Sequence, residues 1–216
     1  MTHVLAVCGS RREESYTRVG LEVALDEAAK AGASTALLDL REVDLPPLDA
    51  DLDAEEQGDG ARLLAAVDEA DAVLLGTPVY HGSYSGVLKN ALDYCGFDEF
   101  EGKTVGLLAV AGGSFPVTAL DHLRSVCRAL DCWVVPHHAA IPRAHRHVTY
   151  DDEGDADGDD GADGDEEGAI GNRKGRITDA DLDERVRVLG RRVVQYANIE
   201  PDPATFEAGE NVGATD

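Results

Sequence analysis

Four stretches of this chain, residues 4–7, 72–75, 105–110 and 133–135, are apolar at nearly every position: VLAV, AVLL, VGLLAV and WVV. Side chains alternate between the two faces of a strand, so a strand apolar throughout needs cover on both faces. That requirement is met where a parallel sheet lies between layers of helix. The intervening stretches carry helical spacing: residues 15–31, closed by Gly32, then 61–70, 85–94, 117–130 and 179–196, the last with Thr178 or Asp179 as N-cap. Residues 35–40 add a second strand, residues 104–110 are the fourth, and residues 132–135, closed by Pro136, are the fifth. Residues 44–60 form a polar, Pro-containing connection. Strands alternating with helices predict parallel βαβ units, and right-handed crossovers make of them a three-layer α/β/α sandwich. The pattern alone leaves the strand order open.

The 216 residues suffice for one good-sized core, and 43% hydrophobic content marks a globular chain. Forty-three acids stand against 19 bases, a formal charge of −24, and only four of the bases are lysine. Acid-rich, lysine-poor surfaces suit concentrated salt, which screens their self-repulsion. The excess is not confined to one segment. Without residues 151–167, which hold eleven acids and no base, 32 acids still face 19 bases. A halophile's cytoplasm is the expected setting. The charge argues against nucleic acid and anionic membranes as partners.

Cys8, Cys95, Cys127 and Cys132 form no CxxC pair and are expected to be buried free thiols, spaced too sparsely for a zinc or iron–sulfur site. No basic-then-apolar leader opens the chain, and no apolar run nears the ~20 residues of a membrane helix. His137, His138, His145 and His147 fit no zinc spacing and read as a solvent-facing basic strip. One domain over residues 1–200 is expected, with an acidic disordered insertion at 151–169 and a flexible tail at 201–216. Asp155, Asp157, Asp159 and Glu166 fall on ligand positions of a calcium loop, but Asp160 holds the turn position that needs glycine and no helices flank it.

Three loops follow the first, third and fourth strands. In an open parallel sheet these lie on one edge, where ligands bind. The first, from Gly9 to Arg18 (GSRREESYTR), leads into a helix. Ser10, Ser15 and Thr17 offer hydroxyls, Arg12 or Arg18 offers charge, and the helix start offers N–H groups, together a phosphate cradle. The same residues also suit an ordinary helix capped by Ser15. Neither GxGxxG nor GxxxxGK[ST] is present. The third-strand loop lies in TPVYHGSYSGVLKNALDY, Thr77 to Tyr94, and offers a tyrosine ring, hydroxyls and exposed backbone N–H groups. The fourth contains Gly112-Gly113-Ser114, where adjacent glycines allow close approach to a flat ligand. Together they favour a phosphorylated planar cofactor.

With AGGSFPVTALDHLRSVCRALDCWVVP, from Ala111 to Pro136, these motifs resemble the NAD(P)H-dependent FMN reductases of the flavodoxin-like fold, which include quinone, azo-dye and chromate reductases. The resemblance spans about residues 3–142. It implies a five-stranded parallel sheet in order 2-1-3-4-5, FMN at the sheet edge, NAD(P)H as co-substrate, and a homodimer or homotetramer built around the flavin sites. By position, Ser10, Arg12, Ser15 and Thr17 would hold the phosphate. Pro78, Val79, Tyr80 and His81 would line the isoalloxazine, Gly82 and Ser83 would complete the turn, and Gly112, Gly113 and Ser114 would cover the other polar edge. Thr17 and His81 each stand where asparagine is usual, Val79 where glutamate is common, and Ser85 where proline is usual.

The resemblance implies an enzyme that passes hydride from the nicotinamide nucleotide to FMN N5, then electrons to a small acceptor: a flavin, a quinone, an azo compound or a metal ion. No catalytic nucleophile of the protein is expected. His81 could donate a hydrogen bond or proton, or stand in for asparagine and position backbone. The second reading is preferred, since such enzymes leave the chemistry to the cofactor. Two alternatives are an electron-transfer flavoprotein without catalysis and a flavin-free module binding a phosphate ligand.

Overall fold

A computed structural model describes residues 1–151 and 174–199. The acidic run beyond Asp151, with its calcium-loop positions, and the expected tail lie outside the described residues. Strands β1 (His3–Cys8), β2 (Ser34–Asp39), β3 (Ala72–Pro78) and β4 (Thr104–Val110) alternate with helices α1 (Tyr16–Lys30), α2 (Gly60–Asp68), α3 (Gly86–Tyr94) and α4 (Phe97–Phe100). Then come α5 (Val117–Ala129), β5 (Trp133–Val134), β6 (Ala139–Ile141), β7 (Val148–Tyr150), β8 (Gly175–Ile177) and α6 (Ala180–Ala197). The main sheet is parallel, in order β2-β1-β3-β4-β5, with β6 also paired to β4.

The two faces divide by strand parity. Val4, Ala6 and Cys8 of β1 pack with α1 and α6, whereas Leu5 and Val7 pack with α2, α3 and α5. The same alternation puts Leu74 and Leu108 on the first face and Leu75 and Leu107 on the second. Helices α1 and α6 approach closely because Gly190 has no side chain: a Cβ there would lie 2.1 Å from Ala24 O. Burying both faces supplies the main drive for this arrangement, at ~25 cal/mol for each Å² of apolar surface withdrawn from water.

Three features differ from the sequence expectation. The fifth strand is broken in two: β5 pairs with Thr104 and Val105, and β6 with Leu108 to Val110. Four residues, Val135 to His138, stand opposite two of β4. Pro136 lies in the break, where its missing N–H costs no ladder bond. Helix α4 and the antiparallel β7–β8 ribbon were also not expected. The ribbon packs on α1, with Tyr150 stacked on Tyr16 at 6.2 Å between centroids.

Cys8, Cys95 and Cys127 are buried free thiols and Cys132 is half-buried. The histidines form no common strip. His137 Nε2 lies 2.9 Å from Arg185 O, His138 Nδ1 3.4 Å from Arg124, and His147 Nδ1 3.4 Å from Asp179, while His145 borders the cavity described below.

Candidate cofactor site

The loops after β1, β3 and β4 meet at the carboxyl edge of the sheet. Gly9 N–H donates to Gly76 O at 2.8 Å, joining the first loop to β3. Ser85 reinforces that junction in three ways. Its Oγ donates to Gly9 O at 2.6 Å and accepts from Leu88 N–H at 3.1 Å as the N-cap of α3. Its own N–H donates to Thr77 Oγ1 at 2.9 Å. A residue noted in the sequence only as a replacement for proline thus couples two of the loops.

In the first loop, Ser15 caps α1 by accepting from Arg18 N–H at 3.2 Å, and it is fully buried. It lies beneath the loop beside Cys8, whose thiol burial pushes up to about 12, with Asp39 adding to the rise, so Cys8 stays a neutral thiol. Ser10 and Thr17 are each only 2% exposed and both line a cavity. Ser10 Oγ accepts from Arg12 N–H at 3.3 Å, whereas the Thr17 hydroxyl has no partner among the described residues. The first N–H groups of a helix have no acceptor within it, so those of Tyr16 and Thr17 face outward at this end. The two candidate arginines separate. Arg18 is committed to Glu13 O at 3.1 Å, Asp39 at 3.6 Å and Glu22 at 3.8 Å, while Arg12 lines the cavity.

The third-strand loop is a two-residue hairpin. Tyr80 and Ser83 exchange N–H···O bonds of 3.0 Å each, and His81 and Gly82 have φ of 51° and 80°. Positive φ at both central residues is the turn that prefers Asn-Gly. This accounts for asparagine at the His81 position on backbone grounds. His81 is exposed and is not on the cavity wall; Gly82 and Ser83 are also off it. They hold the turn in place, with Gly82 O accepting from Thr118 Oγ1 at 2.7 Å and Ser83 Oγ 3.0 Å from His122 Nδ1. Pro78, Val79 and Tyr80 do line the cavity.

In the fourth loop, Gly112 lines the cavity and Gly113 and Ser114 do not. Neither glycine has positive φ, and a Cβ on either would meet no protein atom within 4 Å. The protein's own packing therefore does not demand glycine here, but close approach of a ligand would. Ala144 and His145, from the turn after β6, complete the wall. Sequence reasoning missed them; the basic stretch PRAHRH was the available signal. The cavity measures about 470 Å³, within the roughly 300–1,000 Å³ usual for small-molecule sites.

Residues 2–146 match the family described as NADPH-dependent FMN reductase. This chain belongs to that family. It is 35% identical over 136 residues to an FMN-dependent NADPH-azoreductase of Staphylococcus saprophyticus, across 61% of this chain and 72% of that protein. The fold is similar to an apo NADH:FMN oxidoreductase (TM-score 0.66, 19% identity, 95% of this chain and 94% of that one). It is also similar to FerB, a flavoenzyme NAD(P)H:(acceptor) oxidoreductase of Paracoccus denitrificans (TM-score 0.65, 21% identity, 91% and 97%). The family is one of oxidoreductases that use FMN and NADPH. The residues present fit FMN. An unpartnered hydroxyl, Arg12 and a helix start suit its phosphate, and the open space at Gly112 opposite Pro78 to Tyr80 suits a flat ring.

Proposed function

We propose that this chain is an FMN-dependent NAD(P)H oxidoreductase acting on a small-molecule acceptor. The observation that carries the reading is the meeting, in one cavity, of phosphate-type donors at the start of α1 with the bare backbone of Gly112. When bound, FMN supplies the redox chemistry, taking hydride from a nicotinamide and passing electrons on. The chain's own work is to bind and position. Ser10, Arg12 and Thr17 hold the phosphate, and Ser15 holds the loop from beneath. Pro78, Val79 and Tyr80 form an apolar wall for the ring, and Gly112 presents backbone to its edge. His81, Gly82, Ser83, Gly113 and Ser114 act behind these, fixing the loops. The acceptor is a flavin, a quinone, an azo compound or a metal ion. The name of the Staphylococcus relative makes an azo dye the first to try. The acidic surface supports a salt-rich cytoplasm as the working environment.

Anaerobic mixing of the FMN-loaded protein with NADPH, and separately with NADH, tests the reading. Bleaching of the flavin band, followed by its return when an azo dye is added, is expected. A loaded protein that neither nucleotide bleaches would leave only an electron carrier or a binding module.

A further inference from the structure

The turn after β6 lies outside the three loops that the sequence singled out. Arg143 sits there at φ 46°, in the left-handed region where glycine or asparagine is the unstrained choice. Two bonds fix it: its N–H donates to Gly113 O at 2.8 Å, and its Nε donates to Ser114 Oγ at 3.2 Å. The second orients the planar guanidinium while its terminal nitrogens have no partner among the described residues. Ala144 N–H then donates to Ala111 O at 2.9 Å, which sets His145 against the cavity. His145 and Arg146 are exposed, and neither has a carboxylate partner among the described residues. Elsewhere, Arg18, Arg41, Arg187 and Arg191 are all paired with acids. Basic side chains left without acids on so acidic a chain, beside a cavity, form a site for an anion.

Ser10 and Thr17 are buried, whereas Arg143, His145 and Arg146 are exposed, so the turn suits a ligand that protrudes from the cleft. A nicotinamide dinucleotide is such a ligand: only its nicotinamide must reach the flavin, and its phosphates can remain outside. Resting on the proposed function, we infer that Arg143, with His145 and Arg146, binds the 2′-phosphate of NADPH and sets a preference for NADPH over NADH. A guanidinium held through Nε offers its remaining N–H groups to phosphate oxygens in a fixed geometry that lysine cannot reproduce.

The test is calorimetric titration of the FMN-loaded protein with NADP⁺ and with NAD⁺ at one ionic strength. Both carry the pyrophosphate, so their difference isolates the 2′-phosphate. The expected preference for NADP⁺ is about tenfold or more, the scale of a charge-assisted bond. Arg143→Asn tolerates the left-handed backbone and is expected to remove most of that preference; Arg143→Lys should keep part of it. Flavin fluorescence reports whether each variant still holds FMN. If Arg143→Asn does not, the double variant His145→Gln, Arg146→Gln decides, with a several-fold loss of preference expected. Equal wild-type affinities, or a loss in Arg143→Asn that weakens both nucleotides by the same factor, would overturn the inference. So would an unchanged preference in the double variant. A wild-type chain that takes up no FMN instead sinks the proposed function, and the inference with it, before any nucleotide is added.

Discussion

Ser85 shows how one side chain can decide whether two loops form a single site. Its hydroxyl reaches Gly9 O across 76 residues of chain, while its N–H reaches Thr77 and its oxygen caps α3. Ser85→Ala removes the cap and the bond to Gly9. It should lower stability by about 1–3 kcal/mol and weaken FMN binding, read from denaturant unfolding and flavin titration. Wild-type stability together with wild-type FMN affinity would show the link to be idle. The sequence signalled a departure from proline at this position but could not signal its partner, because the bond is tertiary. His81 is the converse case. Its sequence position suggested a choice between ring chemistry and backbone geometry, and φ of 51° in a two-residue hairpin supplies the geometric reason. Of the proposed phosphate ligands, Ser10, Arg12 and Thr17 reach the cavity while Ser15 lies buried beneath it. That split depends on which helical turn faces inward, which residue types alone do not reveal.

The strands were legible wherever both faces are buried, because uniform apolarity leaves few alternatives. The fifth was only half legible. Its second part, Ala139–Ile141, is three residues long and follows Pro136, so it lacks the length and flanks that mark a strand. The β7–β8 ribbon pairs segments of three residues from distant parts of the chain, with no local turn to announce it. The helices on the first face are joined by Glu27 of α1, which accepts from Arg191 at 2.9 Å and Arg187 at 3.3 Å of α6, and from Lys30 at 3.2 Å. These bonds, that from Arg191 foremost, hold the Glu27 carboxyl down to about 2, below its ordinary 4.5. A depressed carboxylate contributes stability that is complete above its unfolded pKa and is lost as pH falls through the folded one. Wild type should therefore exceed Glu27→Gln by about 1–3 kcal/mol near neutrality, with the gap closing between roughly pH 5 and pH 2 in urea unfolding. A gap independent of pH would mean that the clamp is not ionic.

For the molecule as a whole, the three-layer architecture followed from the alternation of strand and helix, but the strand order did not; it came through the likeness of particular motifs. The charge of −24 acts at this scale. With a Debye length of about 10 Å at 0.1 M salt and about 3 Å at 1 M, acids spread over the surface repel one another far less in strong salt. The thermal midpoint is expected to rise steadily between those concentrations, and a flat or falling curve would remove the case for a salt-adapted surface. The central claim concerns the sheet edge, where the loops after β1, β3 and β4 and the turn after β6 enclose one cavity. Titration of the apoprotein with FMN, followed by flavin fluorescence in wild type and Arg12→Ala, tests it most directly. Saturation at one FMN per chain, weakened about tenfold or more in the variant, is the predicted result. No saturable binding, or binding that Arg12→Ala leaves unchanged, would contradict the placement of the flavin phosphate at the start of α1.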